Sequence, residues 1–417
     1  MKKSILFFVL AFMFSFISAR QLAFPGADGF GKYAIGGRGG SVYHVTNLND
    51  SGPGSFRDAV SQPKRTVVFD VNGVIKIQTK LTVSSFITIA GQTAPGDGIV
   101  VYGNGISMTG ATDVIIRHIR FRGSVTMSRG TCTVSSDNTK DIIFDHVSIE
   151  WGRWDNFHIK DSKDITVQYC LLGEGINPQM FGALLENPTN ITIHHCLWVD
   201  NQSRNPKAKA GIEIINNIIY NWGSNGLVGG HSGALHHQDI INNYFIAGPN
   251  SSHAFIGMFS ATDHVNHAGN KVDMDKNGKL NGRIVTDEDF IKAKATLEPK
   301  TQNSSFSLSG IEQPEVAYKN VLAHAGASLH RDAIDKRLVG YVKSLGKTGK
   351  VIKSESEVGG QLELKQGTGK KDTDGDGIPD SWESKHHLNP KDPADANLAN
   401  KDGYTNLEVY LNELAIF

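Results

Sequence analysis

The sequence predicts an all-β chain wound as a parallel β-helix, a solenoid of short strands, followed by a small separate module. Three observations carry this. Short β-rich runs recur between Thr66 and about residue 248, roughly every 25 residues, inside the range of periods that marks solenoids. They read Asp113–Phe121, Asp141–Ile149, Asp164–Leu172 and Asn190–Trp198, then Gly211–Tyr220 and Gln238–Ile246. Each holds an apolar strand, a polar pair and a second apolar strand, with no helical period between, so these are not βαβ units. Finally, His118, His146, His195, Asn217 and Asn243 fall at matching places in successive runs. Histidine clusters suit metals, but one polar residue per coil reads better as a ladder at a coil corner, stacked at about 4.8 Å.

The elements follow in chain order. Lys2 and Lys3 precede an apolar stretch, Ile5 to Ile17, and then the small pair Ser18-Ala19. The apolar stretch is short for a membrane span and reads as an export signal over residues 1–19. A secreted protein with no membrane span is expected. Residues 23–60 are glycine-rich, but no GxGxxG between strand and helix and no Gly-Lys-Ser/Thr ending is present, so nucleotide binding is not expected. Ser55 to Val60 suits a short capping helix. The solenoid domain spans 20–358.

Formal net charge is zero over 417 residues, which argues against a general nucleic-acid binder. The three cysteines, Cys132, Cys170 and Cys196, are no disulfide framework. Cys170 and Cys196 match between coils and read as buried free thiols.

Ser203 to Lys209 lies between two strand-like runs, and Pro206 cannot donate to a ladder, so this segment reads as a loop. Arg204, Lys207 and Lys209 stand close together on it and suit a polyanionic ligand. Pro314 to Val342 has helical patterning and is expected to cover the open C-terminal end of the solenoid. Asp273 to Gly278 imitates the start of a calcium loop, but Ile284 stands where the closing carboxylate belongs, so it reads as a turn.

Residues 359–371 read as a polar linker. Beyond it, in the module 372–417, Asp372, Asp374, Asp376, Asp380 and Glu383 occupy positions 1, 3, 5, 9 and 12 of the calcium-loop template, with Gly377 at the sharp turn. Carboxylates at that density repel one another unless a cation joins them, so Ca2+ is expected there. A weaker loop holds Asn400, Asp402, Asn406 and Glu408, with Leu398 at its first position.

Residues 23 to about 360 resemble the pectate lyase family, in the form common in secreted bacterial enzymes. The stretches that carry the resemblance are Ala23 to Gly31, Thr46 to Ser55, Ile89 to Pro95, Phe144-Asp145-His146, Ser203-Arg204-Asn205-Pro206, His324 to Ala327 and Arg331-Asp332-Ala333. The tail is similar to calcium-loop modules of the EF-hand or thrombospondin type 3 kind. The resemblance implies a right-handed parallel β-helix and β-elimination in a uronate polymer, with pectate as the leading substrate. It implies Arg204, of an Arg-x-Pro motif, as the base, and Lys207 and Lys209 as substrate-binding cations. It also implies calcium in the catalytic groove. One expected ligand position there is Cys132, and a thiol is a poor calcium ligand. Asp155 and Glu174 remain as the candidates, with Glu150 and Asp137 behind them.

Other readings are a lyase on alginate or ulvan, a polygalacturonase-like hydrolase, and a non-catalytic glycan-binding protein. A hydrolase needs paired carboxyls roughly 5 to 9.5 Å apart, and no paired-aspartate signature runs along the repeats. A monomer acting on an acidic polysaccharide is expected.

Overall fold

The structure, a computed structural model, describes residues 20–299 and 310–416. The export signal expected at 1–19 lies outside them. The chain forms a parallel β-solenoid of about nine coils. Three sheets run its length: sheet 1 with eleven strands from Ser41–Val45 to Thr296–Leu297, sheet 2 with ten from Gly73–Ile77 to Arg283–Ile284, and sheet 3 with eight from Leu81–Thr82 to Ile256–Gly257. One coil shows the pattern. Lys140–Asp145 lies in sheet 1, Ser148–Glu150 in sheet 2 and Asp155–Lys160 in sheet 3, and the next coil repeats the order with Lys163–Gln168, Leu171–Gly173 and Phe181–Glu186.

Alternation within each strand builds the core. Phe121, Ile149, Leu172, Trp198, Ile219 and Phe245 stand in register on sheet 2 and point inward. Coil after coil adds one such layer, so apolar burial is continuous along the stack.

The corner between sheets 1 and 2 needs a left-handed residue in each coil. His118, His146, Tyr169, His195, Asn216 and Asn242 fill it, with φ from 48° to 56°. Their rings stack, His118 on His146 at 4.8 Å, His146 on Tyr169 at 5.1 Å and Tyr169 on His195 at 4.9 Å. The expected ladder is therefore present, but its two asparagines at the far end are each one position earlier than expected, and Tyr169 joins it. Asn217 and Asn243 belong to the neighbouring ladder, below Cys170 and Cys196. There the Asn217 side chain accepts from the Cys196 N–H and donates to Asn243, which in turn donates to Asn270. Cys170 and Cys196 are buried free thiols.

The glycine-rich N-terminal segment lies flat on sheet 1. A Cβ at Gly31 would stand 2.2 Å from the Ile142 carbonyl, and one at Gly37 2.2 Å from that of Arg65. Its N–H groups donate to the threonine rungs Thr88, Thr166 and Thr192. Close approach, not phosphate binding, explains the glycines.

The helix Phe56–Ala59, capped by Ser55, buries Phe56 and Ala59 against the first coils, as expected. The helices Pro314–His324 and Ala333–Lys343 form where patterning places them but do not cover the C-terminal end. They pack on the outer face of sheet 2, with Val321, Leu338 and Val342 against Leu171, Leu197, Ile218 and Tyr244. That face is apolar and far larger than an open coil edge, so it draws the helices. The far end is closed by the helix Asp287–Lys292, whose Phe290 is buried edge-on to Phe259.

The segment expected as a polar linker is pinned along the solenoid. Lys365 accepts at its carbonyl from Asn72 and from the Asp97 N–H, and Gly367 donates to Asn72. It carries the chain back to the first coils, where the C-terminal residues dock. Among the described residues no helix is long and apolar enough to cross a membrane.

Candidate active site

Arg204 enters sheet 3 from the turn after Leu197–Val199. It is left-handed, with φ of 60°, and Ser203 pairs with Phe181 of the preceding coil. That pairing brings Phe181 under the guanidinium, whose carbon lies 4.2 Å from the ring centroid. The Arg204 Nη1 donates to both oxygens of Asp155 at 3.1 Å. Asp155 opens the strand two coils back and is fully buried. Burial pushes its carboxyl up to about 7, against the pull of Arg204.

Lys207 and Lys209 are not on a loop. They form a short strand, Lys207–Lys209, that pairs with Phe181–Glu186, so Lys207 stands beside Leu184 and Lys209 beside Glu186. Pro206 is compatible with this because it precedes the ladder. Lys207 is lowered by burial first and then by Arg204 and Lys209. Lys209 Nζ lies 3.5 Å from Glu186 Oε1. His158 reaches the same carboxylate at 3.3 Å and Asp137 at 3.4 Å. Sheet 3 therefore presents a cationic floor, Arg204, Lys207 and Lys209, bordered by a His158–Glu186–Asp137 group. Phe181, His158 and Glu186 escaped the sequence reading. Coil register was the signal, since it sets residue 181 beside 203 and 186 beside 209.

The groove calcium candidates separate. Glu174 is buried at the turn from sheet 2, where Trp151 Nε1 donates to it at 3.0 Å and Arg337 grips it at 2.5 and 2.9 Å. Arg337 comes from the flank helix Ala333–Lys343, so Glu174 anchors that helix and is not with Arg204. Asp155 is with Arg204, but both its oxygens face the guanidinium. Cys132, its neighbour, is a thiol pushed up to about 12 by burial and by Asp155. Glu150 is taken by Arg122. These donors do not fit a resident calcium.

The C-terminal loop is the opposite case. Asp372 accepts from the N–H groups of Gly375 and Gly377, which shapes the turn. Both oxygens of Asp374 and of Glu383 and one of Asp376 are buried without a hydrogen-bond partner. Asp380 is not with them. Its carboxylate accepts from Lys371 Nζ and the Thr373 N–H, each at 2.7 Å. The turn around 400–408 is held by its own contacts, with Asn400 accepting from the Asp402 and Tyr404 N–H groups and Glu408 capping the helix Asn406–Glu413.

A scan against protein-family models finds no match. Individual relatives are clear. Proteins named "Probable pectate lyase C" from Aspergillus flavus and Emericella nidulans are 43% and 41% identical over 395 and 397 residues, covering 94% of this chain and 94% and 93% of theirs. Both relatives are fungal. Solved structures of a thermostable pectate lyase and of a pectate lyase bound to a hexasaccharide match with TM-scores of 0.55 and 0.53, at 14% and 13% identity, over 74% of this chain and 98% of each of those. At that identity they support the fold. The relatives match along nearly the whole length, and by them this chain belongs to the pectate lyase family of polysaccharide lyases.

Proposed function

We propose that this chain is a secreted lyase that cleaves pectate by β-elimination, with Arg204 as the base. The observation that carries it is the Arg204 guanidinium on the floor of sheet 3, flanked by Lys207 and Lys209 on one strand. A polymer of uronate units laid across that floor meets cations at the spacing of neighbouring side chains. Lys207 and Lys209 hold a uronate carboxylate and stabilise the negative charge that builds on it as the C5–H bond breaks. Arg204 takes the C5 proton. The electron pair forms the C4–C5 double bond, and the C4 glycosidic oxygen leaves with the other chain fragment. The product end is a 4,5-unsaturated uronate.

A guanidinium has no free lone pair, so Arg204 takes the C5 proton only after giving up one of its own to solvent, and the Asp155 contact that holds it charged must open first. Burial of Asp155 favours this, because its neutral form releases Arg204. The export signal at 1–19 supports secretion, and the Ca2+ expected for the protein is assigned to the C-terminal loop.

The test is the ultraviolet absorbance of the conjugated product, followed with pectate, alginate and ulvan. Pectate is expected to give the signal. Arg204→Ala should lower kcat by about a hundred-fold or more, the scale of lost general-base catalysis. Normal kcat in Arg204→Ala removes Arg204 as the base. Release of reducing ends without new absorbance makes the protein a hydrolase.

A further inference from the structure

We propose that Asp395 completes a calcium site with Asp372, Asp374, Asp376 and Glu383, and that the ion clamps the C-terminal segment onto the first coils of the solenoid. This stands apart from the reaction proposed for sheet 3. Ligand oxygens of Asp372, Asp374 and Asp376 lie within 4.8 Å of one another, and so do those of Asp376, Glu383 and Asp395. Asp376 joins the two groups into one cluster. Glu383 is 0% exposed, yet neither of its oxygens has a hydrogen-bond partner. Asp395 is nearly buried. Its Oδ2 accepts from the Asn389 N–H at 2.9 Å, while Oδ1 is unpartnered. One oxygen fixes the side chain and leaves the other for the cluster.

Buried carboxylates without partners carry a heavy desolvation cost, and here they also repel one another. A hard cation answers both. Calcium takes six to eight oxygens at about 2.3–2.6 Å, and its flexible shell suits a set drawn from two separate turns. Magnesium prefers to keep its waters. Asp380, at the template's ninth position, is diverted to Lys371 and Thr373, and Asp395 from the turn Asp395–Asn397 stands in the cluster instead.

The same loop is a docking element. Ile378, Leu407 and Leu411 pack with Ala90 and Val42. A Cβ at Gly377 would meet Val42 at 3.0 Å and Val68 at 3.5 Å. His44 reaches the Gly375 carbonyl at 3.2 Å, and Arg38 pairs with Glu408 at 2.7 Å. The ligands at 372–376 and Ile378 share one turn. An ion that fixes that turn fixes the apolar seat on strands Ser41–Val45 and Ile87–Ala90. Without the ion, carboxylate repulsion spreads the turn and lifts Ile378.

The experiment uses the full chain, stripped with a chelator and titrated with calcium or magnesium in a calorimeter. Amide hydrogen exchange of Ser41–Val45 and Ile87–Ala90 is followed with and without calcium. The wild type should bind calcium in preference to magnesium and gain protection in both strands. Asp395→Asn should weaken that site by about tenfold or more, since affinity follows ligand charge count, while Asp380→Asn stays within about twofold. Glu383→Gln should lose the site and the calcium-dependent protection together. Unchanged affinity in Asp395→Asn, or an equal loss in Asp380→Asn, overturns the ligand set. Magnesium binding as tight as calcium overturns the ion. Calcium binding that leaves exchange in both strands unchanged overturns the clamp.

Discussion

Arg204 is held by a neighbour that opposes its proposed task, and the opposition has a pH signature. Burial lifts Asp155 to about 7, above its unfolded value near 4. Between those values the native chain binds a proton that the unfolded chain has released, so stability falls as pH rises through that window. Asp155→Asn lacks this titration. Denaturant midpoints of the two proteins at pH 5 and pH 8 should show the wild type losing ground to the variant at the higher pH, and parallel curves would contradict the assignment. The two lysines make a separate prediction. Lys207→Ala and Lys209→Ala should chiefly raise KM, with a smaller fall in kcat from the lost charge stabilisation, and the rise in KM should be larger at low salt, where charge attraction is least screened. Equal effects at both salt concentrations would mean that the lysines shape the strand and do not hold the substrate. The cations themselves were legible in the sequence, because three of them crowd around one proline. Their partners were not. Asp155 and Phe181 lie on earlier coils, and only strand register brings them to Arg204.

At the scale of elements, the flank helices rest on charge as well as on apolar packing. Arg122, fully buried in sheet 2, pairs with Glu150 at 3.0 Å, Asp332 at 2.5 Å and Asp335 at 2.7 Å. Asp332 also caps the helix Ala333–Lys343, accepting from the Asp335 N–H. Asp335 also accepts from the buried Arg120 Nε at 3.2 Å and the Ser148 hydroxyl at 2.8 Å, so its removal leaves these donors unsatisfied as well as breaking the pair with Arg122. Asp335→Ala should therefore destabilise the protein by about 3–5 kcal/mol, read from urea unfolding. A change within about 0.5 kcal/mol, the range of ordinary surface substitutions, would show that packing alone holds the helix. The helices were legible from their spacing, but their seat was misread. The signal lay in the strands Leu171–Gly173, Leu197–Val199, Ile218–Tyr220 and Tyr244–Ile246, apolar on both faces. Strands of that kind are covered on both sides. Weighing the outer face of sheet 2 against the open coil edge would have placed the helices on the flank.

Across the whole molecule, the solenoid was legible because its physics repeats. Each coil states the same alternation and the same left-handed corner, so one misread residue does not change the answer. The return of the C-terminus is written once only, in contacts between residues far apart in sequence, such as Arg117 with Asn412 at 3.0 Å and Gln92 with the Leu411 carbonyl at 3.3 Å. Nothing local in residues 359–371 distinguishes a pinned strap from a free tether. That return bears on the order in which the chain can finish folding. Coils emerge from the ribosome in sequence, and each can stack on the one before it, since a solenoid grows by nearest-neighbour contacts. The outer surface of the earliest coils, Val42, Val68 and Ala90, follows a different clock. It stays bare through the synthesis of every later coil, until Ile378 and Leu411 have been made. The first part of the solenoid to form is thus the last to be completed, and the interval between the two is nearly the whole length of the chain.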